Sequence, residues 1–306
     1  MRSVTNTNLP SVAIFSNFFI DNEERFKRMK DSFYSFKDIN CKEWFVNIRG
    51  RFKYDVAKFL KNQLQDKVHI FHFESKKGWF YDSNEIAKNI SASYVFIWVE
   101  DHVLIASPDT LNNCISEMRD FNADQLWYSW FMPNIILPYN VVKIDKQGKY
   151  ISVRKIDGTA CAKIREEIKN YSIYRFLNDF YIISMTSVMR KDFFMKILTS
   201  PKPYLKRWSQ MLPFDFEKRS KDNVVPIIKH AISNQELFVP IDDNGNQKGY
   251  SLISRGLYPN RVSRESMKVL EFGEKNLLLK CIKKITPKPI RKIFLFFRRV
   301  FWTIGI

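Results

Sequence analysis

Cysteine is scarce in this chain, and its spacing excludes more than its number does. Cys41, Cys114, Cys161 and Cys281 lie far apart, with no CxxC pair. That excludes a disulfide framework and a cysteine-based structural zinc site. Long apolar runs are also missing. No window approaches the ~18 residues a membrane-spanning helix needs. The opening stretch, MRSVTNTNLPSVAIFSNFF, holds no apolar segment long enough for a secretory leader. A reducing cytoplasm is therefore the expected setting. Acidic residues are under-represented: 32 Asp and Glu stand against 50 Lys and Arg, a formal net charge of +18. Such a surplus points to an anionic partner, whether a phosphorylated substrate, an acidic lipid surface or nucleic acid. Frequent Lys, Asn, Ile and Phe, all with A/T-rich codons, offer a compositional source for part of it. No zinc-finger or RNP-type signature appears, so nucleic acid is not the expected partner. Internal repeats are absent too.

What is present is a large apolar fraction. Hydrophobic residues make up 45% of the 306 positions and aromatics 15%, enough to bury a sizeable core in one α/β domain with appendages. The first half alternates. VAIFSN (Val12–Asn17), EWFVNIR (Glu43–Arg49), VHIFHF (Val68–Phe73) and Tyr94–Val99 read as strands. Helical periodicity fills the intervals at Glu23–Phe36, Lys53–Gln65 and Asp82–Ser91. Alternation of this kind predicts βαβ units and a mostly parallel sheet flanked by helices. Ser107-Pro108 reads as an N-cap followed by Pro at the first helical position, opening a helix to about Phe121. The second half is less regular. VVKIDKQGKYISV predicts a hairpin, FYIISMTSVM a strand, and Arg190–Leu198 a helix; a further helix is expected within Asp215–Ser233. His230 then falls on a mostly apolar helical stretch, as a structural histidine. DDNGNQKG (Asp242–Gly249) predicts a polar loop.

The run YVFIWVEDH ends abruptly in Glu100, Asp101 and His102. Ligands of open α/β sheets bind outside the carboxyl ends of the strands. Ser16 and Asn17 stand at such an end after the first strand, and Arg49 after the second. Two carboxylates beside an imidazole suit Mg²⁺ or Mn²⁺. The plainer alternative is that Glu100 and Asp101 only polarise a loop and cap the next helix.

A short first strand, three strand–helix steps and an acidic triplet together resemble the nucleotide-sugar glycosyltransferases of the GT-A fold, the family-2-type enzymes in particular. The preceding segment Lys77-Gly78-Trp79-Phe80-Tyr81-Asp82-Ser83-Asn84-Glu85-Ile86-Ala87 is similar to that family's G…N…A pattern. The likeness covers roughly the first 105 residues. It implies a Rossmann-like GT-A fold and a donor site drawing on Ser16, Asn17, Arg49, Trp79, Asp82, Glu100 and Asp101. It further implies a metal–diphosphate held by Asp101 with Glu100 or His102. Two positions depart from the pattern. His102 stands where the triplet has Asp, and Arg49 where the second strand is followed by Asp. An imidazole can still ligate Mn²⁺, and a guanidinium can grip a phosphate bidentately. Trp79 is either a base-stacking ring or a core residue.

The resemblance also implies a carboxylate that takes the acceptor's proton. MLPFDFEK offers Asp215 and Glu217, with Asp179 in LNDFYII in reserve. Each of the first two reads equally well as a helix-start residue. Arg255 is the expected diphosphate contact from a closing loop. Inversion at the anomeric carbon is the default that the likeness implies.

The tail from Glu274 is basic. In KPIRKIFLFFRRVFWTIGI, Ile290, Ile293, Phe294, Phe297, Val300, Phe301 and Ile304 share one helical face, and Arg291, Lys292, Arg298 and Arg299 take the other. That pattern suits a helix lying in an anionic membrane interface; a helix docked on the domain is the alternative. The expected organisation is a GT-A-like domain over 1–273, with a donor half at 10–105 and an acceptor half at 106–273, and a membrane-associating tail at 274–306. The expected protein is a cytoplasmic enzyme, peripheral to the inner face of the cell membrane. It would move a sugar from a nucleotide-sugar donor to a glycan or lipid-linked saccharide in bacterial surface polysaccharide assembly. A catalytically degenerate module that binds glycans or partners at the membrane is the alternative.

Overall fold

A computed structural model describes residues 10–74, 78–129, 137–168, 182–199, 216–217, 226–242 and 251–258. The first strand, β1 (Val12–Phe19), shows how the layers are built. Successive strand side chains point to opposite faces. Val12, Ile14 and Phe18 enter one apolar cluster, while Ala13 and Phe15 enter another on the far side. A strand apolar on both faces needs cover on both.

Helices supply that cover. On the first face lie α1 (Glu23–Phe36), α2 (Lys53–Leu64) and α4 (Pro108–Phe121). On the second lie α3 (Trp79–Ala87), α5 (Gly158–Ile168) and α6 (Lys191–Thr199). In α1, Met29, Phe33 and Phe36 recur at helical spacing and are fully buried. Its start is fixed by Asn22, whose Oδ1 accepts from the Arg25 amide at 2.9 Å. The predicted cap of α4 is present: Ser107 Oγ accepts from the Thr110 amide at 3.1 Å, with Pro108 in the first turn. Asn122 ends α4 in the left-handed conformation at φ 52°.

The other strands are β2 (Glu43–Arg49), β3 (Val68–Phe71), β4 (Tyr94–Ile97), β5 (His102–Leu104), β6 (Gln125–Trp127), β7 (Ile144–Gln147), β8 (Ile151–Ile156), β9 (Ser187–Arg190), β10 (Ile228–Ser233) and β11 (Phe238–Pro240). Among the described residues, nine of the eleven form one sheet in the order β3-β2-β1-β4-β9-β6-β10-β8-β7. The four on the left are mutually parallel. β9 opposes both β4 and β6, β10 is parallel to β6, and β8 turns back between β10 and β7. Seven of the nine strands therefore run one way, and β8 and β9 run against them. β5 and β11 pair separately as an antiparallel ribbon.

Two expectations need correction, and one feature was missed. The helix expected within Asp215–Ser233 gives way at Ile228–Ser233 to β10, so His230 lies on a strand. IIKHAI is a short apolar run, too short for its period to separate helix from strand. Of the stretch FYIISMTSVM, the described residues 182–186 are not strand, and β9 begins only at Ser187. The ribbon of β5 and β11 was not expected, because its strands have only three residues each. The expected amphipathic tail, the 243–249 part of the polar loop, Asp179 and Asp215 lie outside the described residues.

Candidate active site

The order β3-β2-β1-β4 contains a switch point. From β1 the chain builds outward through β2 and β3, then returns to the other side of β1 to lay down β4. Such a reversal opens a crevice at the carboxyl ends of the two central strands. Asn17 and Phe19 end β1 there, Arg49 ends β2, and Glu100 and Asp101 follow β4.

Asn17 is the hub of one wall. Its amide nitrogen donates to Ser83 Oγ on α3 at 2.9 Å. Its Oδ1 accepts from Asn47 Nδ2 at 2.9 Å and from Arg49 Nε at 3.1 Å. Asn47 also pairs with the Phe73 backbone through both its donor and its acceptor, at 2.9 and 2.8 Å. One polar residue inside the strand EWFVNIR thus ties β1 and β2 to the chain beyond β3. Gly50 completes the turn behind Arg49. Its φ is +91°, and a Cβ there would meet Ile20 O at 2.5 Å, so only glycine fits.

Arg49 is half-buried. Burial lowers its pKa from the ordinary arginine value, and the charges of Asp82, Glu74 and Glu100 oppose that effect. The group still stays cationic at neutral pH. Among the described residues it has no ion-pair partner; its hydrogen bond goes to the Asn17 amide. A guanidinium held this way presents a fork suited to an oxyanion. Asp82 is 3% exposed on α3, so it acts on Arg49 through charge from inside the protein.

The opposite wall is the acidic turn. The His102 amide donates to Val99 O at 3.3 Å, which closes Glu100 and Asp101 into a turn. The ribbon fixes it from behind: the Ile241 amide donates to Asp101 O at 2.8 Å. Tyr128 braces β4 by donating to Ile97 O at 2.6 Å. Burial, with the nearby Asp101 and Glu100 charges, pushes that phenol well above its usual range.

Several expected site residues have other duties. Ser16 is 1% exposed, and its hydroxyl donates to Trp98 O at 2.9 Å, clamping β1 to the segment after β4. Trp79 is 1% exposed, edge-on to Phe15 and Phe80 and packed against Phe216. It is a core residue, and its faces are not open to a nucleobase. His102 opens β5 and is 6% exposed, with Nδ1 hydrogen-bonded to Asp101 Oδ1 at 2.8 Å and Nε2 enclosed without a partner. It orients Asp101. Arg255 grips Glu236 bidentately at 2.9 and 3.0 Å, so its fork is committed to a protein carboxylate. Glu217 Oε1 accepts from the Met185 amide at 3.1 Å, ahead of β9.

No three His, Cys, Asp or Glu side chains gather into a metal site among the described residues. The acidic turn offers Glu100 and Asp101 alone. Such a pair suits Mg²⁺ or Mn²⁺ when substrate phosphates complete the shell.

No protein-family model and no curated sequence matches the chain. Among solved structures it is similar to residues 1–349 of S. aureus TarS, at 12% identity and a TM-score of 0.42. The match takes in 74% of this chain and 59% of that one, so it spans under two thirds of TarS 1–349. The same TarS segment solved with UDP gives a TM-score of 0.40. A mannosyltransferase of Pyrobaculum calidifontis, solved with GDP-Man and Mn²⁺, is similar over 96% of this chain and 81% of its own, at 11% identity and a TM-score of 0.44.

Proposed function

We propose that the chain is a glycosyltransferase of the GT-A kind that moves a sugar from a nucleotide-sugar donor to a glycan or lipid-linked acceptor. The reading rests on Arg49, a half-buried cation without an ion-pair partner among the described residues. It stands across the β1–β4 switch point from the Glu100–Asp101 turn. A donor diphosphate lies between them in this reading, with Arg49 taking up charge on the leaving group. Asp101, with Glu100, would hold a divalent cation against the same phosphates; bound there, it would neutralise charge as a Lewis acid. Asp215 is the assigned general base, with Glu217 and Asp179 behind it. It takes the proton as the acceptor hydroxyl attacks the anomeric carbon and the bond to the diphosphate breaks.

Surface polysaccharide assembly at the inner face of the membrane is the proposed setting, and the tail is its anchor. The second reading is a binding module without turnover. It draws support from His102 and Arg255, both engaged by protein groups. A panel of UDP- and GDP-sugars, scored for hydrolysis and for thermal stabilisation with and without Mn²⁺, separates the two. Product favours the enzyme, stabilisation without product favours the module, and neither response sinks the enzyme.

A further inference from the structure

The acidic turn is framed from behind by a polar stripe on α1. Arg28, Ser32 and Ser35 stand four and three residues apart, so they line one side of the helix. Arg28 and Ser32 are buried, and Ser35 is partly so. Polar groups on the core side of a helix are costly unless each is hydrogen-bonded. Here the bonds converge on the segment that carries Glu100 and Asp101.

The Ser32 hydroxyl donates to the His102 carbonyl, and its oxygen accepts from the Trp98 indole nitrogen at 2.9 Å. One hydroxyl, with its single proton and its acceptor capacity both in use, thus spans Glu100 and Asp101 from one side of the turn to the other. Trp98 is a fixed post for it. Its carbonyl accepts from Ser16 Oγ at 2.9 Å, and its ring lies edge-on to Phe18 at 4.6 Å and to Trp44 at 5.5 Å. Ser35 Oγ accepts from the Leu104 amide at 2.9 Å, which holds the strand leaving the turn. Arg28 reaches the same place by another route. It pairs with Asp242, and the adjoining Ile241 amide donates to Asp101 O at 2.8 Å. The turn's own bond, from the His102 amide to Val99 O, is 3.3 Å, long against the usual ~2.7–3.2 Å for N–H···O. A turn closed by so long a bond takes its shape from what frames it.

We propose that Ser32 is a positioning residue for the divalent cation of the donor site. By tying Trp98 to His102, it fixes the conformation in which Glu100 and Asp101 present their carboxylates together. Ser32 touches neither cation nor donor and acts through the turn. This inference deepens the donor-site reading and rests on it.

Two measurements on the full-length chain test it. One is calorimetric titration with UDP and GDP, with and without Mn²⁺. The other is hydrogen exchange without nucleotide or added metal, followed at residues 98–104. The proteins are wild type, Ser32→Ala and Val56→Ala. Val56 of α2 is fully buried in the same apolar cluster and lies outside the frame, so its truncation controls for lost stability. Ser32→Ala is expected to reduce the Mn²⁺-dependent gain in nucleotide affinity by about tenfold or more, the scale for groups that support metal ligands. Affinity without Mn²⁺ should stay at the wild-type level. Exchange should quicken at 98–104 and not in β2. Val56→Ala should keep the Mn²⁺ gain. Should Ser32→Ala fail to fold, Ser32→Cys keeps a weaker donor and should show the same loss in smaller measure. No Mn²⁺ gain in wild type would overturn the donor-site reading, and the role of Ser32 with it. A wild-type gain that the Ser32 variant keeps in full would overturn Ser32 alone. An equal loss in Val56→Ala would do the same, since it would trace the effect to stability.

Discussion

Arg49 Nε donates to Asn17 Oδ1 at 3.1 Å, joining the carboxyl ends of β2 and β1. That bond aims a guanidinium which has no ion-pair partner among the described residues. Arg49→Met should lower affinity for UDP or GDP by roughly 10- to 100-fold, the range for hydrogen bonds to a charged group. Arg49→Lys should recover only part, since a point charge cannot reproduce the fork. Calorimetric titration measures both, with circular dichroism to confirm the fold. Wild-type affinity in Arg49→Met removes this residue from the donor site.

Asp101 and His102 differ in what they should do when changed. Asp101→Asn is expected to abolish sugar transfer and any Mn²⁺-dependent gain in donor affinity. EDTA should produce the same loss in the wild type. His102→Gln should act mainly through the orientation of Asp101, leaving measurable donor binding and a reduced rate. A complete loss of Mn²⁺ response in His102→Gln, with the fold intact, would restore the imidazole as a direct ligand.

A buried ion pair fixes the chain beyond the ribbon. Arg28 of α1 meets Asp242, and both side chains are 3% exposed. Arg28 also donates to Glu24 at 3.0 Å. Burial alone would lower the Arg28 pKa, but Asp242 and Glu24 outweigh it and raise it. Arg28→Met should cost about 3–5 kcal/mol, because it removes the cation from the buried Asp242 carboxylate, and Asp242→Asn should cost less, because Arg28 keeps Glu24. The double change to apolar residues should recover much of that. Urea melts of the four proteins give the coupling directly.

How legible the chain was depended on the range of the interactions involved. Strand–helix alternation and the Ser107-Pro108 cap are local signals, and the first half of the sheet follows from them. The carboxyl-end positions of Asn17, Arg49 and Asp101 followed once the strands were read. Roles that hang on distant partners were hidden. Trp79 and Ser16 are occupied by residues far along the chain, and nothing nearby tells a buried ring from an open one. Arg255 looked available until Glu236 was beside it. Asn47 left a usable mark, a lone amide inside an apolar strand, which its bonds to Asn17 and Phe73 now explain. Arg154 and His230 left none, because their meeting requires β8 and β10 to pair.

The tail prediction uses its charge. If Arg298 and Arg299 flank a face lying in the membrane interface, the full-length chain should float with anionic vesicles and much less with neutral ones. Reversal of both to Glu should reduce flotation, as should added salt. Cations near an anionic surface contribute about 1 kcal/mol each, so the double reversal should be plainly visible. Salt-independent flotation, unchanged by the reversal, would leave the tail without this role.

His230 makes stability depend on pH. It is fully enclosed, stacked on Tyr139 at 5.1 Å, with Gln125, Trp127 and the Arg154 cation around it. Burial first, and then the Arg154 charge, lower its pKa to about 3. The unfolded chain titrates this group near the ordinary histidine value of about 6.5. Between these limits the unfolded state binds more protons than the folded one, so stability rises with pH across the window and falls on acidification. The loss should be on the order of 1 kcal/mol per pH unit below ~6.5, and should flatten near neutrality. His230→Gln removes the titration while keeping a polar side chain. Urea melts from pH 7 to pH 4 should show a shallower slope for the variant than for the wild type. Parallel slopes would mean that acid sensitivity arises elsewhere.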